Sequence, residues 1–173
     1  KPIILSTGMS TLEEVRDAIS VLKDNGIPNN NLTVLHCNTE YPTPMEDVNL
    51  LAMNTIQNVL GLQVGYSDHT LGIEVPIAAV VLGAKVIEKH FTLSRADGGV
   101  DSTFSIEPSE LEALVIESDR AFLSLGSVYY GVQDAELKSL RFKRSLYVVE
   151  DIKAGDVFTK DNLRVIRPGD GMQ

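Results

Sequence analysis

The stretch Leu62-Gln63-Val64-Gly65-Tyr66-Ser67-Asp68-His69-Thr70 runs from a short β-prone segment into a cluster of hydroxyl, carboxylate and imidazole groups. An apolar helix is expected next, through Val75 to Leu82. The same order recurs on both sides. Upstream, Leu32-Thr33-Val34-Leu35 leads into the polar segment from His36 to Pro44 and a helix expected from about Met45 to Val59. Before that, Ile3-Ile4-Leu5 ends in Ser6-Thr7-Gly8, and Thr11 and Glu14 have the spacing of a capping box. Val15, Ala18, Ile19 and Leu22 then recur at helical intervals, with Gly26 in the place of a C-terminal cap. Downstream, Lys85-Val86-Ile87 runs into Glu88-Lys89-His90, a long irregular loop and a helix beginning near Pro108.

Units of roughly 25–30 residues in strand–helix order are the signature of a parallel α/β sheet. Such a series winds into a barrel or lies open and doubly wound. The barrel is favoured because every strand ends in a polar cluster, so that one rim gathers Ser6, His36, Ser67, Asp68, His69, Glu88 and His90. Barrel enzymes draw their active sites from several strand ends, whereas an open sheet concentrates its ligands at one crevice. Four strands make half a barrel, and a half-barrel would leave two edges unpaired. Further strands outside this chain are therefore expected to complete it. From about Arg141 the texture changes to short β-pieces with tight turns: Ser145 to Val149, then Glu150 to Asp156, then Ile166 to Gly171. The expected domains are 1–126 for the half-barrel, 127–140 for a linker and 141–173 for the start of a small β-rich module.

Of the 173 residues, 43% are apolar and 23% charged, as in an ordinary globular protein. The net charge of −9 argues against nucleic acid, which demands a concentrated basic face. No apolar run approaches the roughly 20 residues needed to span a bilayer. No charged-then-apolar leader opens the chain, and Cys37 has no second cysteine to pair with, so a cytoplasmic location is expected.

His69 and His90 are the sharpest candidates for chemistry. Both fall just past the ends of adjacent expected strands, and neutral imidazoles suit a divalent transition metal. The plainer reading makes each a hydrogen-bonded structural histidine. Asp68 and Glu88 stand beside them as ligands, orienting groups or proton carriers. Ser6, Thr7 and Ser67 are short donors near glycines, suited to a phosphate or equally to capping. Asn38, Thr39, Glu40 and Tyr41 offer a polar surface for a sugar, or a helix-entry loop stiffened by Pro42 and Pro44. Asp101 lies in the long loop over the same rim. His36, between Leu35 and Cys37, reads more readily as a satisfied core histidine, and Cys37 has no clear base partner.

His36-Cys37-Asn38-Thr39-Glu40-Tyr41-Pro42, Tyr66-Ser67-Asp68-His69-Thr70-Leu71-Gly72, Gly83-Ala84-Lys85-Val86-Ile87-Glu88-Lys89-His90-Phe91-Thr92 and Arg167-Pro168-Gly169 carry a resemblance. Together with Ser6-Thr7-Gly8-Met9, they resemble the N-acetylneuraminate (sialic acid) synthase family, which includes the pseudaminate and legionaminate synthases. The resemblance covers nearly the whole chain. It implies the C-terminal half of a TIM (β/α)8 barrel followed by the start of an antifreeze-like (SAF) domain. It further implies a homodimer in which the SAF domain of one subunit caps the barrel of the other. Carried over by motif, His69 and His90 hold a divalent metal, most often Mn2+, with Mg2+ or Co2+ as alternatives. Ser6 and Ser67 contact phosphate, Tyr41 and Asp101 hold the amino sugar with Asn38 or Thr39 nearby, and Arg167 reaches its N-acetyl group in the partner's site. Glu88 is the candidate for proton handling.

The reaction so implied is condensation of phosphoenolpyruvate with N-acetylmannosamine, giving a nine-carbon sugar acid and phosphate. A diacetamido 6-deoxy sugar is the alternative substrate. His36 to Asn49 looks like the N-acetylneuraminate branch, while Ser94 to Gly99 and Arg141 to Gly155 look closer to the pseudaminate branch. Val100 stands where relatives often carry proline. Because the family's upstream phosphate-binding residues lie outside this chain, the chain alone is expected to be inactive. Rival readings are a 3-deoxy-sugar-acid synthase on a similar barrel and a non-catalytic relative of the spore-coat polysaccharide type.

Overall fold

A computed structural model describes residues 1–172, which divide into two units, 1–126 and 127–172. Gln173, the last residue expected for the small module, lies outside the described residues. In the first unit β1 (Ile3–Ser6), β2 (Leu32–Cys37), β3 (Gln63–Asp68) and β4 (Ile87–Lys89) form one sheet in the order β1-β2-β3-β4. All three pairings are parallel. Helices α1 (Leu12–Asp24), α2 (Leu51–Leu60) and α3 (Glu74–Val81) make the crossovers, and α4 (Pro108–Ser124) follows the long loop after β4.

Side chains alternate across a strand, so each register line sorts residues onto one face. Val34 of β2 pairs with Leu5 and Val64, and Tyr66 pairs with Ile87. These residues pack with Val15 and Ile19 of α1, Met53 and Ile56 of α2, and Ala79 of α3 in one apolar core. On the opposite face Ile4 is 54% exposed, while Leu35 is fully buried. Gly65 makes room for Leu35: a Cβ on Gly65 would fall on the Val86 carbonyl oxygen and 2.5 Å from Leu35 Cδ2. Glycine, costly in most strands, is here required by the close approach of a neighbour.

Thr11 caps α1 with a capping box: Glu14 N donates to Thr11 Oγ1 at 3.3 Å, and Thr11 N donates to Glu14 Oε2 at 2.7 Å. Gly26 follows in the left-handed region, at φ 84°. α2 departs from expectation. A single 3₁₀ turn occupies Met45–Asp47, and the α-helix begins only at Leu51. Asn49 between them has φ 48°, which an α-helix cannot include. β3 extends beyond Gly65 to Asp68, and β4 lies at Ile87–Lys89 instead of 85–87. In both strands, ladder pairing carries polar residues that composition alone would leave in a loop.

After β4 the chain makes a long excursion and returns. Ile106 N donates to His90 O at 2.8 Å and Thr92 N to Ile106 O at 2.9 Å, closing the loop at its neck. Arg95 holds the neck from the side, donating through Nη1 to Ser105 O at 3.0 Å and to Glu110 Oε2 at 2.5 Å. The Arg95 hydrogen bond holds the Glu110 carboxyl below the usual glutamate range.

The second unit contains a 3₁₀ segment, Asp134–Phe142, and an antiparallel pair, β5 (Ser145–Val148) and β6 (Leu163–Ile166). Met172 adds a bridge to Leu146. Ser145 is the buried residue of this unit among those described.

Candidate functional site

His69 and His90 each follow the last residue of a strand, β3 and β4, which are neighbours. Their ring centroids are 5.3 Å apart at an interplanar angle of 65°. Tyr41, from the loop after β2, packs with its centroid 4.2 Å from His69 and 5.9 Å from His90. Phe104, from the excursion after β4, completes the group at 5.0 Å from His90 and 5.6 Å from Tyr41. Four rings from three loops thus meet at one end of the sheet. Phe104 was not among the sequence candidates, since its loop has no periodicity to single it out.

His69 Nδ1 lies 2.7 Å from the carbonyl oxygen of Asn38. A carbonyl can only accept, so Nδ1 carries a proton, and in the neutral ring Nε2 then presents a lone pair. Asn38 is itself held, its Nδ2 donating to the Asp47 carbonyl at 2.8 Å. The Asn38 side-chain oxygen is buried without a partner among the described residues. His90 Nδ1 is 3.6 Å from Asp101 Oδ2, too far for a hydrogen bond.

Ser67 and Glu88 are register partners on the face away from the helices, and Ser67 Oγ donates to Glu88 Oε1 at 2.7 Å. Cys37 is the register partner of Ser67 on β2. Burial pushes the Cys37 thiol up, against the Thr7 and Gly8 amides that lower it, which disfavours a nucleophilic thiolate. Ser6 ends β1 and is exposed. Thr39, also exposed, sits against Gly8, where a Cβ would fall on the Thr39 hydroxyl. Arg167 stands in the second unit, exposed, directly after β6.

The expected rim divides in two. His36 and Asp68 do not share the site face, because the pleat turns them toward the helices. His36 Nε2 bonds to the Val48 carbonyl at 2.8 Å, as a structural histidine does. Asp68 is 1% exposed and pairs with Lys89 Nζ at 2.5 Å, which removes it as a ligand or proton carrier. Thr7 is likewise committed, its hydroxyl donating to the Leu35 carbonyl at 2.9 Å.

Among the described residues no group of three or more His, Cys, Asp and Glu side chains comes together as a metal cage. The donor set at His69 and His90 nonetheless fits a divalent cation held by two imidazoles, with its other positions left to water or substrate oxygens. The tautomer fixed at His69 is the one a metal ligand needs. No helix among the described residues is long and apolar enough to cross a membrane.

A family model described as the NeuB family matches residues 1–130, and one described as the SAF domain matches residues 143–172. The chain is 44% identical over 173 residues to an N,N'-diacetyllegionaminic acid synthase of Campylobacter jejuni, covering 99% of this chain and 52% of that protein. It is 38% identical over 172 residues to a pseudaminic acid synthase of the same species, covering 99% of this chain and 50% of that protein. The chain thus spans about half the length of these curated relatives. Among solved structures, the N-acetylneuraminic acid (sialic acid) synthetase of Leptospira borgpetersenii, in complex with citrate, superposes with a TM-score of 0.72 at 38% identity. That likeness covers 82% of this chain and 48% of that one.

Proposed function

The chain belongs to the NeuB family, and from that premise we propose that it is the metal-binding half of a nonulosonate synthase, which joins phosphoenolpyruvate to an N-acylated amino sugar and releases phosphate. In this reading the sheet is half of an eight-stranded barrel, and the second unit is the beginning of an SAF cap. The observation that carries the proposal is the pairing of His69 and His90 at adjacent strand ends, with Nε2 of His69 left as a lone pair. Held there, a divalent cation, Mn2+ first and Mg2+ or Co2+ after it, would act as a Lewis acid toward the sugar carbonyl.

The chain's own residues then have distinct tasks. Ser6 donates to oxygens of the phosphate-bearing substrate, as Ser67 does once its hydroxyl turns from Glu88. Glu88, already an acceptor for the Ser67 hydroxyl, takes a proton from the attacking water. Tyr41 and Phe104 form an apolar wall beside the histidines, which excludes water from one side of the reacting carbon. Asp101 accepts from sugar hydroxyls, with Asn38 and Thr39 contributing from the loop after β2. Arg167 reaches the N-acyl group in the site of a second copy, which makes a homodimer with exchanged caps the working assembly. The free thiol of Cys37 is in keeping with a cytoplasmic setting.

For the sugar, the greater identity to a diacetyllegionaminic acid synthase supports a diacetamido 6-deoxy substrate. The stretch from His36 to Asn49 supports N-acetylmannosamine as the second reading. The test is phosphate release from phosphoenolpyruvate by the full-length protein with Mn2+, offered each sugar in turn. Release should require one of the sugars, and His69→Ala or His90→Ala should lower it roughly a thousandfold, the several kcal/mol a Lewis acid supplies. Release indifferent to both histidines would overturn the proposal.

A further inference from the structure

Behind the two histidines, on the helix-facing side of the sheet, lies an ion pair that the proposed chemistry does not use. Asp68 ends β3 and Lys89 ends β4, and the two are register partners. Their side chains are 0% and 3% exposed. Asp68 Oδ2 accepts from Lys89 Nζ at 2.5 Å, and Oδ1 accepts from the Thr70 amide at 2.9 Å and the Thr70 hydroxyl at 2.8 Å. Lys89 Nζ also donates to the Thr70 carbonyl at 2.7 Å.

These bonds have a particular geometry. One ammonium holds the residue before His69 by its carboxylate and the residue after His69 by its carbonyl. The same lysine immediately precedes His90. The main chain is thereby fixed on both sides of one imidazole and at the root of the other, from the face opposite the site. β4 is only three residues long, so its ladder alone anchors His90 weakly. A buried pair of this kind is a poor source of net stability, because desolvation of both charges offsets their attraction. Its directional bonds do fix geometry.

We infer that the Asp68–Lys89 pair is a positioning device that sets the separation of His69 and His90 and thereby the affinity of the site for a divalent cation. The inference rests on the reading of those histidines as a metal site. Neither Asp68 nor Lys89 would touch a metal held by the two histidines, since both side chains lie on the opposite face of the sheet. They act through the histidines, as supporting groups around metal ligands commonly do.

The test is a titration of full-length protein with Mn2+, followed by the loss of the free-ion electron paramagnetic resonance signal. It compares wild type, His69→Ala and the double variant Asp68→Leu with Lys89→Met, which removes both charges and leaves neither unpaired. We expect the double variant to keep the wild-type circular dichroism spectrum and bind Mn2+ about 10- to 100-fold more weakly. Met53→Ala, a core change away from the histidines, should lower the unfolding midpoint and leave affinity alone. If the apolar pair does not fold, Asp68→Asn with Lys89→Met, which keeps an acceptor for Thr70 but removes the ammonium that joins the two strands, carries the same expectation. Wild-type affinity in a folded double variant would overturn the inference while leaving the metal site intact. Wild-type protein that binds no Mn2+, or binds it equally well after His69→Ala, would overturn the metal site itself.

Discussion

The two units bury their residues to very different degrees. In Lys1–Gly126, strands and helices share one continuous apolar core, with Val34, Met53, Tyr66 and Ala79 fully sealed. In the second unit, two short strands pair over no comparable interior, and Val128, Tyr130, Val157 and Phe158 are each more than half exposed. Layers are stable when each can cover the apolar face of another, and a lone hairpin cannot do so. The lesson is that the first unit specifies its own geometry, including the spacing of His69 and His90. The second specifies little beyond the register of β5 with β6.

The largest effect should come from emptying the core of the first unit. Met53→Ala removes a side chain with 0% exposure and should destabilise by about 2–5 kcal/mol, read as a fall in the urea midpoint. Leu137→Ala in the second unit, where the side chain is 54% exposed, should change it by less than about 0.5 kcal/mol. Equal effects would erase the contrast. Gly65→Ala should come next, at about 1–3 kcal/mol by the same measurement, because Leu35 and the Val86 carbonyl must both move. An Ala at Gly155 meets no atom within 4 Å and bears only the backbone strain of φ 95°.

The smallest effect is a pH dependence confined to the neck of the loop after β4. Glu110 has its carboxyl lowered by Arg95, so the contribution is present above the unfolded glutamate value of about 4.3 and is lost as pH falls through the lower folded value. The protection factors of the amides of residues 92–105, measured against intrinsic exchange at each pH, should therefore fall as the pH drops below the unfolded glutamate value. Arg95→Ala should remove that step and leave α1 unchanged.

The α/β alternation was legible because apolar runs and caps such as Thr11–Glu14 are local signals, and the structure retains them. The start of α2 was not, since Asn49 gives no sequence warning of its left-handed backbone. At the site, His69 and His90 could be singled out because each follows a strand directly. Asp68 went to the wrong face because β3 runs further than its apolar residues, and face follows from position within the strand; His36, though counted on the rim, is the satisfied core histidine that its neighbours suggested. The support that Asn38 gives His69 could not be read, because it comes from a main-chain carbonyl, which every residue has.

The closed neck of the loop after β4 has a consequence for how such a protein can change over generations. His90 is tied by its own carbonyl to Ile106, so the stretch from Ala96 to Val100 begins and ends outside that tie. Substitutions and insertions at the tip can accumulate without shifting the imidazole behind them. The tip of the excursion is thus mechanically uncoupled from the strand end behind it, and a lineage can rewrite the one while inheriting the other.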